Sequence, residues 1–113
     1  MEKIINGFYF EFSQYGNTTV LLAAFVTSTK PSPASNPVDN EQARVEALQN
    51  MFRSLSALPA YVVKFGPPEA VKAQSTGLIP TVTAVRGSVS TKDGSAITIE
   101  EVAKLIDDNF TPP

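Results

Sequence analysis

Residues 3–12 alternate: Ile4, Phe8, Phe10 and Phe12 fall on one side, and Lys3, Tyr9 and Glu11 on the other. That period of two predicts a half-buried strand. Ser13 to Asn17 interrupts the pattern with Gly16 and Asn17, which supply the left-handed backbone of a hairpin turn. A second strand is expected from Thr18 to Thr27, with Val20, Leu22 and Val26 on one side and Leu21 and Phe25 on the other. Both of its faces are apolar, so it should be central or covered twice. The two segments together predict an N-terminal antiparallel β-hairpin.

The period then changes. In "EQARVEALQNMFRSLSAL", residues 41–58, Val45, Leu48, Phe52 and Leu55 recur at spacings of three and four, flanked by Met51 and Leu58. This is the stripe of an amphipathic helix, with Arg44, Glu46, Gln49, Asn50 and Arg53 on its wet side. Asp39 or Asn40 is a suitable N-cap, and Pro59 should stop the helix near Leu58. "AYVVKF" predicts a strand bearing Tyr61, Val63 and Phe65 on one face, ended by Gly66-Pro67-Pro68. Residues 68–76 suggest a short helix, with a proline in its first turn and Gly77 as C-cap.

Residues 81–91, "TVTAVRGSVST", are β-branched enough for a strand, but their hydroxyls and Gly87 leave a weak apolar face, as in an edge strand or projecting ribbon. Asp93-Gly94 is a hairpin signal, so "SAIT" is expected to return as a short partner strand. The last segment, "TIEEVAKLIDDNF", has a capping box in Thr98 and Glu101 and a helical stripe of Ile99, Val102, Ala103, Ile106 and Phe110. Four to five strands with two amphipathic helices predict an α+β fold, a two-layer sandwich forming one domain over residues 1–113.

Between the second strand and the first helix lies "STKPSPASNPVDN", residues 28–40, at the upper limit of ordinary loop length. It cannot separate two domains, because a hairpin alone does not bury two apolar faces and needs the helix that follows. Its Lys-Pro, Ser-Pro and Asn-Pro steps favour extended backbone, which lowers the entropy lost on ordering it against a partner. It is expected to be an arm, with Lys30, Pro31, Pro33 and Pro37 as candidate contact residues. Tyr9 and Tyr15 join them, since alternation leaves both outside the core of a hairpin crowded with aromatics and tyrosine suits interfaces.

Composition narrows the chemistry. The chain has no His, Cys or Trp, so thiolate and imidazole catalysis, disulfides and Cys- or His-ligated metals are excluded. Nine basic residues stand singly along the chain against eleven acidic ones, a distribution that argues against nucleic acid as the main partner. The longest apolar run, Val20 to Val26, is seven residues, against roughly 20 for a membrane-spanning helix. The first ten residues lack the layout of a secretory signal, so synthesis in the cytoplasm is expected.

The carboxylates Glu100, Glu101, Asp107 and Asp108 flank Lys104 at helical spacings and read as an ion-paired wet face rather than a cation site. Gln74–Gly77 has the composition of an anion-holding loop but equally that of a helix-ending turn. No phosphate-binding or nucleophile-elbow motif occurs, so no catalytic, cofactor or metal residues are expected. Together these features predict a non-catalytic structural or interaction subunit, whose partners are further copies of itself or neighbouring protein chains, with no membrane partner. Accessory proteins of viral particles or bacterial multiprotein machines have this profile. The alternative is a small regulatory module that holds a ligand or peptide between its sheet and the 66–80 loop.

Overall fold

The computed structural model describes residues 1–26, 37–72 and 81–110. Among these the chain forms strands β1 (Glu2–Ile5), β2 (Phe8–Tyr15) and β3 (Thr19–Phe25), then helix α1 (Pro37–Ser56). Strands β4 (Tyr61–Phe65), β5 (Glu69–Lys72) and β6 (Thr81–Thr91) follow, and helix α2 (Ile99–Asn109) comes last. The six strands make one antiparallel sheet in the order β1-β2-β3-β6-β4, with β5 also paired to β6. Both helices lie on one face of it, α1 over β4 and β6 and α2 over β1 and β2, and they touch each other. The architecture is therefore the expected two-layer α+β arrangement.

The N-terminal hairpin is present, but the segment before it is not one strand. Asn6 and Gly7, at φ of 54° and 82°, form a two-residue turn with both positions left-handed, the geometry that matches the twist of the strands it joins. Ile5 pairs with Phe8 across it. The turn shifts the parity, so Ile5 joins Phe8, Phe10 and Phe12 in the core while Ile4 stands opposite Tyr9 on the other face, 62% exposed. β3 is central, between β2 and β6, which meets the expectation that it be central or covered twice, and the helices lie on its Val20, Leu22 and Ala24 side.

Three further expectations change. Residues 81–91 form not an edge ribbon but the most extensively paired strand: β3 lies along one side of β6, while β4 and β5 share the other end to end. Its weak apolar face is completed from outside. A Cβ on Gly87 would lie 2.6 Å from the Phe52 ring and 2.5 Å from the Lys64 carbonyl, so glycine leaves the space that the helical aromatic fills. Residues 69–72 form β5 rather than a helix, because the open edge of β6 offers pairing to Glu69 through Lys72 that no local signal announces. "SAIT" is not a strand. Ile97 is buried there, its N–H donates to the Asn17 carbonyl at 2.8 Å and its carbonyl accepts from the Gln14 side chain at 2.8 Å, so the segment crosses the end of the sheet.

The helices follow their stripes. In α1, Leu48, Met51, Phe52 and Leu55 are buried, and Phe52 stacks on Phe65 with ring centroids 5.1 Å apart. The helix starts at Pro37 and ends at Ser56, so neither Asp39 nor Asn40 is its cap: both lie within it, and proline occupies its first position, where a missing N–H costs nothing. In α2 the Thr98 hydroxyl accepts from the Glu101 N–H at 3.2 Å, forming the expected cap. Val102, Ala103 and Ile106 are buried, and Phe110 just beyond stacks on Phe8 at 5.2 Å.

Arg44 ties the layers together. Its guanidinium sits 4.0 Å over the Phe8 ring, donates to the Gly7 carbonyl at 3.0 Å and also to the Val26 carbonyl. Burial lowers its pKa from the ordinary arginine value. α1 is thereby fixed to the β1–β2 turn and to the end of β3 by a cation that keeps donors and an aromatic face as partners.

Candidate functional site

The sheet face away from the helices is the surface with an unexplained composition. Strand alternation places Tyr9, Glu11, Ser13 and Tyr15 of β2 there, beside Thr19, Leu21, Ala23 and Phe25 of β3. The register of β6 adds Ala84 opposite Phe25, Arg86 opposite Ala23, Ser88 opposite Leu21 and Ser90 opposite Thr19. Val62 and Lys64 of β4 complete the far side, opposite Ser90 and Ser88, and Glu2 and Ile4 of β1 the near side.

An open antiparallel face ordinarily alternates to polar residues. Here Ile4, Tyr15, Leu21 and Val62 are exposed, and Ala23, Phe25 and Tyr9 are half-buried by their own neighbours. Ala84 is fully buried between Phe25 on one neighbouring strand and Glu69 on the other.

The charges on this face are unevenly divided. Glu2 and Glu11, paired opposite each other, occupy the β1–β2 side. Arg86 and Lys64 occupy the β6–β4 side, where Glu69 of β5 also stands on this face, so that side has one net positive charge against two negative charges on the other. Arg86 Nε donates to Glu69 Oε1 at 3.0 Å, with the arginine side chain 61% exposed. The central column, β3, carries no charge at all on this face.

Tyr9 and Tyr15 both lie on this face, at opposite ends of β2. The Tyr9 ring packs on Phe25 with centroids 5.4 Å apart. Burial, then a hydrogen bond to the Glu2 carboxylate and the charges of Glu2 and Glu11, push its phenol up to about 12. Tyr15 is 68% exposed. Lys30, Pro31 and Pro33 lie outside the described residues, and Pro37 is the first residue of α1 rather than part of an extended arm. The structure thus brings two of the sequence-predicted contact residues to one surface.

Sequence reasoning missed the rest of that surface. The signal was present in Leu21 and Phe25, whose apolar character pointed to a central or doubly covered strand; among the described residues the helices cover one face only. Ile4 was hidden by the unrecognised Asn6-Gly7 turn.

The other candidates have local accounts. Lys104 pairs with Asp108 at 3.3 Å, and Glu101 accepts from the Tyr61 hydroxyl at 3.4 Å. Partial burial, then the Glu101 charge, raises the Tyr61 pKa. Among the described residues no three carboxylates gather where they could hold a metal ion, and no helix is long and apolar enough to cross a membrane. Gln74 to Gly77 lie outside the described residues. A shallow depression of about 280 Å³ between Pro59, Ala60, Lys92 and Asp93 lies at the start of β4, at the opposite end of that strand from the 66–80 loop. The Asp93 carboxylate beside it is engaged by the Ser95 hydroxyl at 2.7 Å and N–H at 3.0 Å, which lowers its pKa.

Comparison with known protein families, with characterised proteins and with solved structures finds no match for this chain.

Proposed function

We propose that this protein is a non-catalytic structural or interaction subunit that works by presenting surface to neighbouring chains. The observation that carries this reading is the open face of the sheet, where Ile4, Leu21, Val62 and Tyr15 meet solvent among hydroxyl-bearing neighbours. Apolar side chains left on a sheet face that the helices do not cover favour association. The chain also lacks His and Cys, so that surface offers neither thiolate nor imidazole chemistry. Accessory subunits of viral particles and of bacterial multiprotein machines are assemblies in which such a chain would serve. The test is its state in its native source, by size fractionation of an unfractionated extract followed by cross-linking. Elution in a species larger than the 12.1 kDa chain supports the reading, and a stable monomer that cross-links to nothing overturns it.

A further inference from the structure

The division of charge on the open face decides more than that something covers it. Resting on the subunit reading above, we infer that the occupant is a second copy of this chain, packed face to face about a two-fold axis that runs along β3. The two-fold axis of such a pair lies in the plane of contact, and aligned packing of the strands needs it close to the strand direction or close to perpendicular to it. An axis across the strands sets each strand over its own counterpart, so the side carrying Glu2 and Glu11 would lie over the same side of the second copy. An axis along β3 reverses the strand order. β2 of one copy then faces β6 of the other, and Glu11 meets Arg86 of the second copy, twice in each dimer.

The second arrangement sets the acidic side against Arg86, whose Nε already holds Glu69 of its own chain, and it places the uncharged column at the axis, where Leu21, Ala23 and Phe25 meet their own symmetry mates. Like charges brought together across a contact are strongly unfavourable, which makes the charge pattern a selector of geometry. Size agrees with it. The five-strand path at ordinary spacing is about 24 Å wide, and a strand of seven residues is about 23 Å long. The face is therefore on the order of 550 Å² in projection. Side-chain relief raises the accessible area above that, toward the roughly 800 Å² per partner of a standard stable interface. Aligned packing of two such sheets, about 10 Å apart, is an ordinary sandwich.

Sedimentation equilibrium on the full chain, from micromolar to millimolar, tests this. The wild type should dimerise. Glu11→Arg alone and Arg86→Glu alone should each raise the dissociation constant on the order of tenfold, because each turns two attractive pairs into repulsive ones. The combined variant should return toward the wild-type value, since the reversed charges again face opposite partners. Leu21→Asp, at an exposed position on the axis, should abolish the dimer, with circular dichroism and the melting curve checking that each variant is folded.

A wild-type dimer in which the two reversals add instead of compensating overturns this geometry. So does a monomer at millimolar concentration. Should that monomer still elute in a larger complex from its native source, the face belongs to a different protein and the subunit reading survives without the dimer. A monomer that also cross-links to nothing overturns both.

Discussion

Leu22 is 3% exposed and its neighbour Leu21 41%, although both sit in the middle of β3 between the same two strands. The same contrast holds across the whole sheet. One face collects Phe8, Phe10, Phe12, Val20 and Val89 beneath two helices. The other carries Ile4, Leu21 and Val62 into solvent beside glutamates, serines and one arginine. On the covered side an apolar residue is held by shape and by a matching partner from a helix. On the open side it stands among its strand neighbours, and neither helix limits its contact with water. The difference teaches that apolar character on a strand specifies a need for cover but not what supplies it.

Substitution can break this comparison or sharpen it. The largest effect is expected at Phe52, whose ring is buried, stacks on Phe65 and fills the place of the side chain that Gly87 lacks. Phe52→Ala should cost about 3–5 kcal/mol in urea unfolding. Gly87→Ala tests the same contact from the other side. Its Cβ would meet a backbone carbonyl as well as the ring, so a loss of about 1–3 kcal/mol is expected, and a neutral result would show that Phe52 does not rest on this glycine. Arg44→Ala removes a cation from the Phe8 ring and two carbonyl contacts, which should cost about 1–3 kcal/mol. Arg44→Lys should recover only part of that, because lysine cannot span the ring and both carbonyls.

The open face should respond weakly. Leu21→Ser, measured at a protein concentration too low for association, should shift stability by no more than about 0.5 kcal/mol. A loss as large as that at Phe52 would mean that this face is covered within the monomer.

Stability should also depend on pH. The folded Tyr9 phenol holds its proton up to about pH 12, above the ordinary value of 10.0. The folded state therefore binds that proton more tightly than the unfolded chain does. The resulting stabilisation is fully present below pH 10 and is lost as pH rises through 12. Tyr9→Phe should flatten the fall in melting temperature over that window.

Much of the covered layer was legible in the residues. Both helices follow from apolar spacings of three and four, and Thr98 with Glu101 announced the start of α2. The alternation in Phe8–Phe12 marked the buried side of β2. The misses share a cause. The Asn6-Gly7 turn is a strong local signal, yet a continuous alternation on either side of it concealed that the chain folds back and changes parity. β5 has four residues, short enough that the neighbouring proline and the helix-compatible Glu-Ala pattern outweighed its pairing. Of the candidate interaction surface, Tyr9 and Tyr15 could be named, whereas Glu11, Arg86 and Lys64 looked like ordinary solvated charges. Their uneven division, two carboxylates on one side and Arg86, Lys64 and Glu69 on the other, appears only when strands distant in sequence stand in order.

What the sequence determined by itself is whatever depends on neighbours within a few residues: the two amphipathic helices, the capped start of α2, the β2–β3 hairpin and the absence of imidazole and thiol chemistry. What only the tertiary structure decided is which strand is central, which face of β3 receives the helices and how charge lies across the other face. Each of these is set by partners far along the chain. β6 is poor in apolar residues until Phe52 fills the gap over Gly87, and β3 carries apolar residues on both sides until the helices cover one of them. Local periodicity records that a side chain seeks cover. The sheet order, built from long-range hydrogen bonds, settles which cover it finds.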